Sequence, residues 1–254
     1  MMSKISKSFK TTKPLIAFIM AGDPSLAATE KLALEIERAG ADILEIGIPF
    51  SDSVADGPVI VEAANRAIKN GASTPAVIKL VKKLRQKTDI PIIFMTSYNI
   101  LNAYGLKEFV DDAHEAGVNG FIIPDLPLEE SPRLAALARG KNIDLIFLLA
   151  PNSSQNRIKA VSKASTGFIY LMSITGITGV RKRFSASAKK TISKIRKFTD
   201  KPIAIGFGIS NPAQAKEAAK IGDGVIVGSA IVKEAAKSIK GAARLVKSLK
   251  KAIS

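Results

Sequence analysis

The chain has 254 residues, of which 46% are hydrophobic and 24% are charged, and this balance indicates a folded globular protein. It contains no Cys and one His, which excludes disulfides, thiolate or multi-histidine metal sites and a cysteine nucleophile, and disfavours a Ser–His triad. The formal net charge of +16 makes a nucleic-acid binder one alternative to consider.

The first apolar run, LIAFIM at residues 15–20, follows a basic N-terminal segment, as in a signal peptide. The run continues directly into Asp23-Pro24 without a small-residue cleavage pattern, so it predicts a buried strand instead. No apolar run reaches the roughly 20 residues that a membrane span needs. With the absence of Cys, this pattern favours a cytoplasmic location and no membrane partner.

Short apolar runs recur along the rest of the chain and alternate with stretches that have helical spacing. Each run is apolar nearly throughout, which is typical of parallel strands buried on both faces. Eight such runs predict an α/β fold, a single (β/α)8 TIM barrel covering residues 1–254 as one domain. An open doubly wound sheet is the structural alternative, but no G-x-G-x-x-G follows the first strand. The predicted strands span residues 15–20, 42–48, 91–95, 119–124, 144–149, 167–173, 202–207 and 224–229.

Helical spacing also accounts for much of the positive charge. Residues 181–201 contain nine Lys or Arg and one Asp, and residues 233–251 contain seven and one Glu. In the second segment the basic residues recur every three or four positions among Ala, Ile, Val and Leu, which predicts the solvated face of a helix over 232–253. This distribution and the absence of zinc-finger spacing or aromatic-rich motifs disfavour nucleic-acid binding. Further helices are predicted at 26–40, 113–117, 134–140 and 213–222.

Carboxylates are concentrated after the second predicted strand, at the end of the barrel where such folds carry their chemistry. Glu45 lies within the apolar run DILEIGI, and Asp52 and Asp56 follow in the next loop. Burial raises the pKa of a carboxyl group, which suits Glu45 to general acid/base catalysis. The alternative is a structural role for Glu45, paired with a Lys or capping a layer of the barrel.

Glycine-containing loops follow the sixth, seventh and eighth predicted strands, at residues 176–179, 206–210 and 228–230. Glycine lets backbone N–H groups approach an anion, and in this fold a phosphate is commonly bound by the last loops. Arg181, Lys182 and Arg183 lie just beyond the first of these loops and could attract an anionic substrate. The alternative is that the glycines only turn the chain and the basic residues are solvated.

Taken together, these segments resemble the alpha subunit of tryptophan synthase over residues 18–231. The second-strand motif is the most specific part of the resemblance, and the order and spacing of the remaining pieces agree as well. The matching stretches are Ala21-Gly-Asp-Pro24, Glu45-Ile-Gly-Ile-Pro-Phe-Ser-Asp52, Ala55-Asp-Gly-Pro58, Pro124-Asp-Leu-Pro127, Ala150-Pro151, Gly176-Ile-Thr-Gly179, Gly206-Phe-Gly-Ile-Ser210 and Gly224-Val-Ile-Val-Gly-Ser-Ala230.

The resemblance implies a lyase that releases indole and glyceraldehyde 3-phosphate from indole-3-glycerol phosphate by retro-aldol cleavage. It implies that Glu45 is the acid/base group and that Asp56 hydrogen-bonds the indole N–H. It also implies phosphate binding by Gly179, Gly208, Gly228 and Ser229, and a lid in which Thr178 contacts the Asp56 loop. The implied indole pocket comprises Phe18, Ile122, Tyr170, Phe207 and Ile226, with no metal and no cofactor on this chain.

The resemblance further implies a beta-subunit partner that carries pyridoxal phosphate, in a complex of the alpha2-beta2 type. The chain departs from the family pattern at Met20, Ser53, Val61 and 97–100, where Ser97 and Ile100 flank a Tyr-Asn pair. Losing two prolines in loops that face the beta subunit predicts a weakened interface. A stand-alone lyase and a catalytically weak barrel that acts as an interaction partner are the alternatives.

Overall fold

Every β-strand in the described chain is parallel to its neighbours, and the strands form a nearly closed barrel surrounded by helices. The computed structural model describes residues 2–52, 56–172, 181–206 and 208–254, without the side chains of residues 181–187. The first strand of the chain, Leu15–Met20, lies beside the last, Gly224–Val227. The predicted TIM barrel is confirmed.

The strands form where β-branched and other apolar residues are contiguous, and nearly all of their residues are buried. In the first strand, for example, no residue is more than 5% exposed. The strands are β1 Leu15–Met20, β2 Ile43–Gly47, β3 Ile92–Met95, β4 Gly120–Ile122, β5 Asp144–Ile146, β6 Leu148–Leu149, β7 Ile169–Met172, β8 Ile203–Gly206 and β9 Gly224–Val227. Their hydrogen-bonded order is β5-β4-β3-β2-β1-β9-β8-β7-β6.

Most of the helices lie between strands, whereas one precedes the first strand and two follow the last. Many begin at a Ser or Asn whose side chain accepts a hydrogen bond from the first turn. They are α1 Lys4–Thr11, α2 Leu26–Arg38, α3 Pro58–Lys69, α4 Thr74–Leu84, α5 Tyr98–Tyr104, α6 Leu106–Ala116, α7 Pro132–Gly140, α8 Gln155–Ala164, α9 Arg181–Ile195, α10 Pro212–Ile221, α11 Ser229–Ala235 and α12 Ile239–Ile253. A 3-10 turn, Leu128–Glu130, follows β4.

Alternate strand residues point into the barrel and form its interior. The helix α1 closes the end of the barrel opposite the catalytic loops of such folds, and it contributes the fully buried Ile5 to this interior. Gly120 on β4 leaves the space that Ile5 occupies, since a Cβ there would lie 2.7 Å from the Ile5 Cδ1 atom. The interior cluster comprises Ile5, Ile16, Ile43, Ile93, Ile122, Ile146, Phe168, Tyr170, Ala204 and Ile226.

The predicted strand over 144–149 is interrupted at Phe147, which separates β5 from β6. β5 pairs with β4, whereas β6 pairs with β7. The Phe147 N–H donates to the Ser165 hydroxyl, and the Phe147 carbonyl accepts from the Tyr170 N–H. The fifth strand therefore changes hydrogen-bonding partners at this residue, which is where the barrel closes.

The prediction of a single helix over 232–253 is wrong, because the chain forms two helices, α11 and α12, with a break between them. Ser238 ends the break by accepting a hydrogen bond from the Gly241 N–H, which starts α12. The expectation that the basic residues of this segment face solvent is confirmed. All of them except Lys250 are exposed, and Lys250 forms an ion pair with Asp42.

Candidate active site

A cavity of about 160 Å³ opens at the carboxyl ends of β1 to β4. Its inner part is apolar and includes Phe18, Met20 and Met95, which end or nearly end their strands. Its rim is polar and carries three carboxylates, Asp52, Asp56 and Asp125. The cavity therefore offers an apolar surface for a flat ring next to groups that bind polar atoms.

Glu45 lies on β2, two residues before Gly47 in the cavity wall. It pairs in register with Phe18 on β1 and Ile93 on β3, and it is 1% exposed. Burial, and then the negative charge of Asp56, raise the pKa of Glu45 to about 8. Its Oε2 atom has no hydrogen-bond partner among the described residues. Glu45 is thus a protonated carboxyl group at neutral pH, ready to donate a proton.

Asp56 is positioned by the start of α3. It lies one residue before Gly57, the N-cap of that helix, and two before Pro58, whose ring suits the first helical position. Asp56 is partly exposed and lines the cavity. Its charge acts on Glu45, so one site holds a neutral carboxyl group beside a charged one, the arrangement that separates acid and base roles.

The predicted indole-pocket residues lie at two depths. Phe18 lines the cavity. Its ring packs against the backbone of Gly47, where a Cβ atom would lie only 2.7 Å from the Phe18 Cζ atom. Ile122, Tyr170 and Ile226 belong to the interior cluster beneath it. Burial raises the pKa of Tyr170, and the negative charges of Glu45 and Asp56 add to this effect. The barrel thus brings Tyr170 into the electrostatic environment of the two carboxyl groups.

The predicted phosphate-binding residues follow β8 and β9 on the same end of the barrel. Gly208 is exposed and has a φ of +74°, which a side chain would strain. Gly228 is the N-cap of α11, and the exposed Ser229 is the first residue of that helix. Gly179, Thr178 and Phe207 lie outside the described residues.

Most residues of the cavity wall were not among the predicted site residues, and Met95, Thr96 and Asp125 are three of them. Met95 ends β3, Thr96 follows it, and Asp125 follows β4 after Pro124. Asp125 accepts hydrogen bonds from the Ser97 hydroxyl and from the Tyr98 N–H. Their position at the end of a strand or in the few residues after it is the signal that could have identified them.

Comparison with known proteins decides the family. The family model described as "Tryptophan synthase alpha chain" matches residues 5–254. The alpha chain from Citrifermentans bemidjiense is 46% identical over 237 residues, which cover 91% of this chain and 89% of that protein. The chain belongs to the tryptophan synthase alpha-chain family.

Solved structures agree with this assignment over the whole length. A structure of Mycobacterium tuberculosis tryptophan synthase superposes with a TM-score of 0.92 at 31% identity, covering 100% of this chain and 99% of that one. A protein from Aquifex aeolicus superposes with a TM-score of 0.91 at 40% identity, covering 99% of each chain. The chain is a lyase that acts on indole-3-glycerol phosphate in tryptophan biosynthesis, and its family implies a beta-subunit partner.

For this alpha chain, two further observations concern metals and membranes. In the part of the chain that the structure describes, no group of three or more His, Asp or Glu residues could hold a metal ion. Within the same residues, none of the helices is long and apolar enough to cross a membrane.

Proposed function

We propose that Glu45 and Asp56 are the catalytic residues of the cleavage of indole-3-glycerol phosphate. The observation that carries the proposal is that a fully buried carboxyl group, with its pKa raised to about 8, lies within the influence of a second, partly exposed carboxylate beside the cavity. Glu45 gives its proton to the indole carbon that bears the glyceryl chain. Asp56 accepts a hydrogen bond from the indole N–H and stabilises the positive charge that develops on that nitrogen.

The same carboxyl group then completes the reaction. Glu45, now ionised, removes the proton of the glyceryl hydroxyl next to the ring, and the hydroxyl becomes the aldehyde of glyceraldehyde 3-phosphate. The carbon–carbon bond breaks, and its electron pair returns to the ring as indole is formed. Glu45 ends protonated as it began, so the cycle requires neither metal nor cofactor on this chain.

Substrate binding is divided between the two sides of the barrel. Phe18 supplies an apolar wall for the indole, with Ile122, Tyr170, Ile226 and, beyond the described residues, Phe207. Backbone N–H groups at Gly208, Gly228 and Ser229 bind the phosphate, supported by the N-terminal end of α11. Gly179 and Thr178 complete the phosphate site and the lid in the family pattern. Glycine at positions 179, 208 and 228 allows the close approach that an anion needs.

The partner is a beta subunit that carries pyridoxal phosphate, in an alpha2-beta2 type of complex in the cytoplasm. Ser97 and Asn99 line the cavity, so the start of α5, where the chain departs from the family pattern, borders the lyase site itself. Position 53 and the segment 97–100 lack two prolines of that pattern, and fixing a backbone without these prolines in a complex costs more free energy. We therefore expect a weaker beta-subunit interface than the family norm.

The test is indole release from indole-3-glycerol phosphate by the purified chain, with and without a beta subunit. Glu45→Gln and Asp56→Asn are expected to lower kcat by roughly 10²–10⁴-fold and 10²-fold. Glu115→Gln, an exposed position on α6, is the matched control and is expected to keep full activity. Full activity in Glu45→Gln would overturn the proposal, and high activity without a beta subunit would favour the stand-alone lyase.

A further inference from the structure

The turn that follows β1, Ala21-Gly-Asp-Pro24, is closely tied to one helix, α3. Asp23 in this turn is 7% exposed although it is a carboxylate. It accepts two hydrogen bonds from the Arg66 guanidinium, at 2.9 Å from Nε and 2.8 Å from Nη2. A two-point Arg–carboxylate contact fixes both distance and orientation, which a single contact does not.

Two more contacts join the same turn to the same helix. The Asn70 side chain donates a hydrogen bond of 2.7 Å to the Pro24 carbonyl. Gly22 lies directly against the end of α3, where a Cβ would be 2.4 Å from the Ala72 Cβ and 3.2 Å from the Ala67 Cβ. The turn therefore holds the C-terminal half of α3 at a defined distance from β1.

The buried side of α3 packs on the cavity. Ala63, Ala64 and Ala67 form one cluster with Phe18 and Met20 of β1, and Val232 of α11 joins it. Small side chains at these positions let the helix lie close to the strand, and α11 begins at the predicted phosphate-binding residues. The position of α3 is thus set by β1 on one side and by α11 on the other.

Asp56 precedes this helix by two residues, so wherever α3 lies, the backbone of Asp56 follows. We propose that Asp23 and Arg66 are positioning residues that hold α3, and through it Asp56, at the correct place opposite Glu45. The proposal rests on the proposed function of Asp56. Neither Asp23 nor Arg66 is among the described residues that line the cavity, so we assign them a positioning role and no contact with the substrate.

The charge of Asp56 makes its position measurable without substrate. In the described part of the chain, Glu45 is faced by two titratable groups, Asp56 before α3 and Tyr170 on β7. Asp56 raises the pKa of Glu45, so moving Asp56 away lowers that pKa. A carboxyl-carbon NMR titration of Glu45 therefore reports on Asp56 even in a chain that turns over no substrate.

The variants are Arg66→Gln and Arg66→Lys, which keeps the charge. Because Arg66→Gln leaves Asp23 buried without its partner, a third and milder variant is Asn70→Ala. Each is measured for the Glu45 titration, for kcat and KM of indole release, and for Tm. Arg38→Gln is the control, since Arg38 forms only a single-contact ion pair with Glu35 on the exposed face of α2. It is expected to leave the titration and both kinetic constants unchanged.

We expect Arg66→Gln to lower the pKa of Glu45 and to reduce kcat about 10-fold with KM within about 2-fold, because small misplacements of a catalytic group act mainly on the chemical step. Arg66→Lys keeps the charge but not the two-point contact, so it is expected to restore only part of both, and Asn70→Ala is expected to move them in the same direction as Arg66→Gln by less. A lower Tm with unchanged Glu45 titration and unchanged kcat in Arg66→Gln or Asn70→Ala would show a purely structural pair. If the wild-type chain releases no indole, the proposed function fails, whereas the titration still decides the role of Arg66.

Discussion

A single buried carboxyl group, Glu45, links the stability of this chain to its chemistry. The carboxyl group has a pKa near 4.5 in an unfolded chain and about 8 in the folded one. Its contribution to the free energy of unfolding is fully present below pH 4.5 and is lost as the pH rises through about 8. The side chain of Glu45→Gln cannot ionise. As the pH rises from 4.5 through about 8, the free energy of unfolding of this variant is therefore expected to increase relative to that of the wild type, by on the order of 4 kcal/mol.

The measurement is urea unfolding of both proteins at a pH near 5 and a pH near 9. Glu115→Gln serves as the control, because its exposed carboxylate changes environment little on folding. A difference between Glu45→Gln and the wild type that stays constant with pH would contradict a protonated Glu45 in the folded chain.

The sequence alone predicts the burial of Glu45, because this residue interrupts an otherwise apolar strand. The role of Asp56 could not be derived in that way, since an Asp in a loop is also an ordinary turn residue and only the resemblance distinguishes it. Thr96 and Asp125 were not predicted, because their membership of the site depends on which strands are neighbours in the barrel. The contact between Asp23 and Arg66 joins residues 43 positions apart, and no local pattern encodes it.

At the scale of elements, α1 closes one end of the barrel. Ile5 is fully buried in the interior cluster, and the ring centroid of Phe9 lies 5.5 Å from that of Phe168. Ile5→Ala is expected to lower the free energy of unfolding by about 2–5 kcal/mol, through lost apolar burial and the cavity left behind. The matched control is Ile68→Ala on α3, whose side chain is 40% exposed and should cost little.

Urea unfolding of the two Ile→Ala variants checks this expectation. Equal, small losses in both would show that α1 is only loosely attached to the barrel. A large loss for Ile5→Ala alone would place the helix within the cooperative core.

Strands and helices with a clear pattern of apolar residues could be predicted from the sequence, whereas the breaks within them could not. The eight predicted strand positions are occupied by strands, since an apolar run specifies a buried strand irrespective of its neighbours. The break at Phe147 arises from barrel closure, which is a property of the whole sheet. The break before Ser238 was missed because the spacing of basic residues continues across it, although a Ser at a helix N-cap is itself a start signal.

At the scale of the whole molecule, the positive charge belongs to one side of the barrel. Residues 151–254 contain 21 Lys and Arg against four Asp and Glu, whereas residues 1–150 contain 17 against 18. The first group contributes β7 to β9 and the helices packed on them, which are contiguous in the closed sheet. Repulsion among like charges on this side opposes folding and is screened by salt. The Tm is therefore expected to rise as salt increases from about 0.01 M to about 0.3 M.

The control compares two charge-reduced variants by thermal unfolding across the same salt range. The first variant removes charge from the basic side and is expected to flatten the salt dependence of the Tm. It carries Lys→Gln at the exposed positions Lys194, Lys197, Lys240 and Lys247. The same change at exposed Lys31, Lys69, Lys79 and Lys82 removes it from the balanced side and should flatten it less. Equal effects of the two sets would contradict a repulsion confined to one side.

The measurement that tests the catalytic account most directly is the pH dependence of kcat/KM for indole release, from about pH 6 to about pH 10, in the wild type and in Asp56→Asn. A protonated Glu45 that starts the reaction predicts activity that falls as the pH rises through about 8. Asp56→Asn removes the charge that raises this pKa, so the residual activity should fall at lower pH. A flat profile, or one that Asp56→Asn does not move, would contradict the pairing of Glu45 with Asp56.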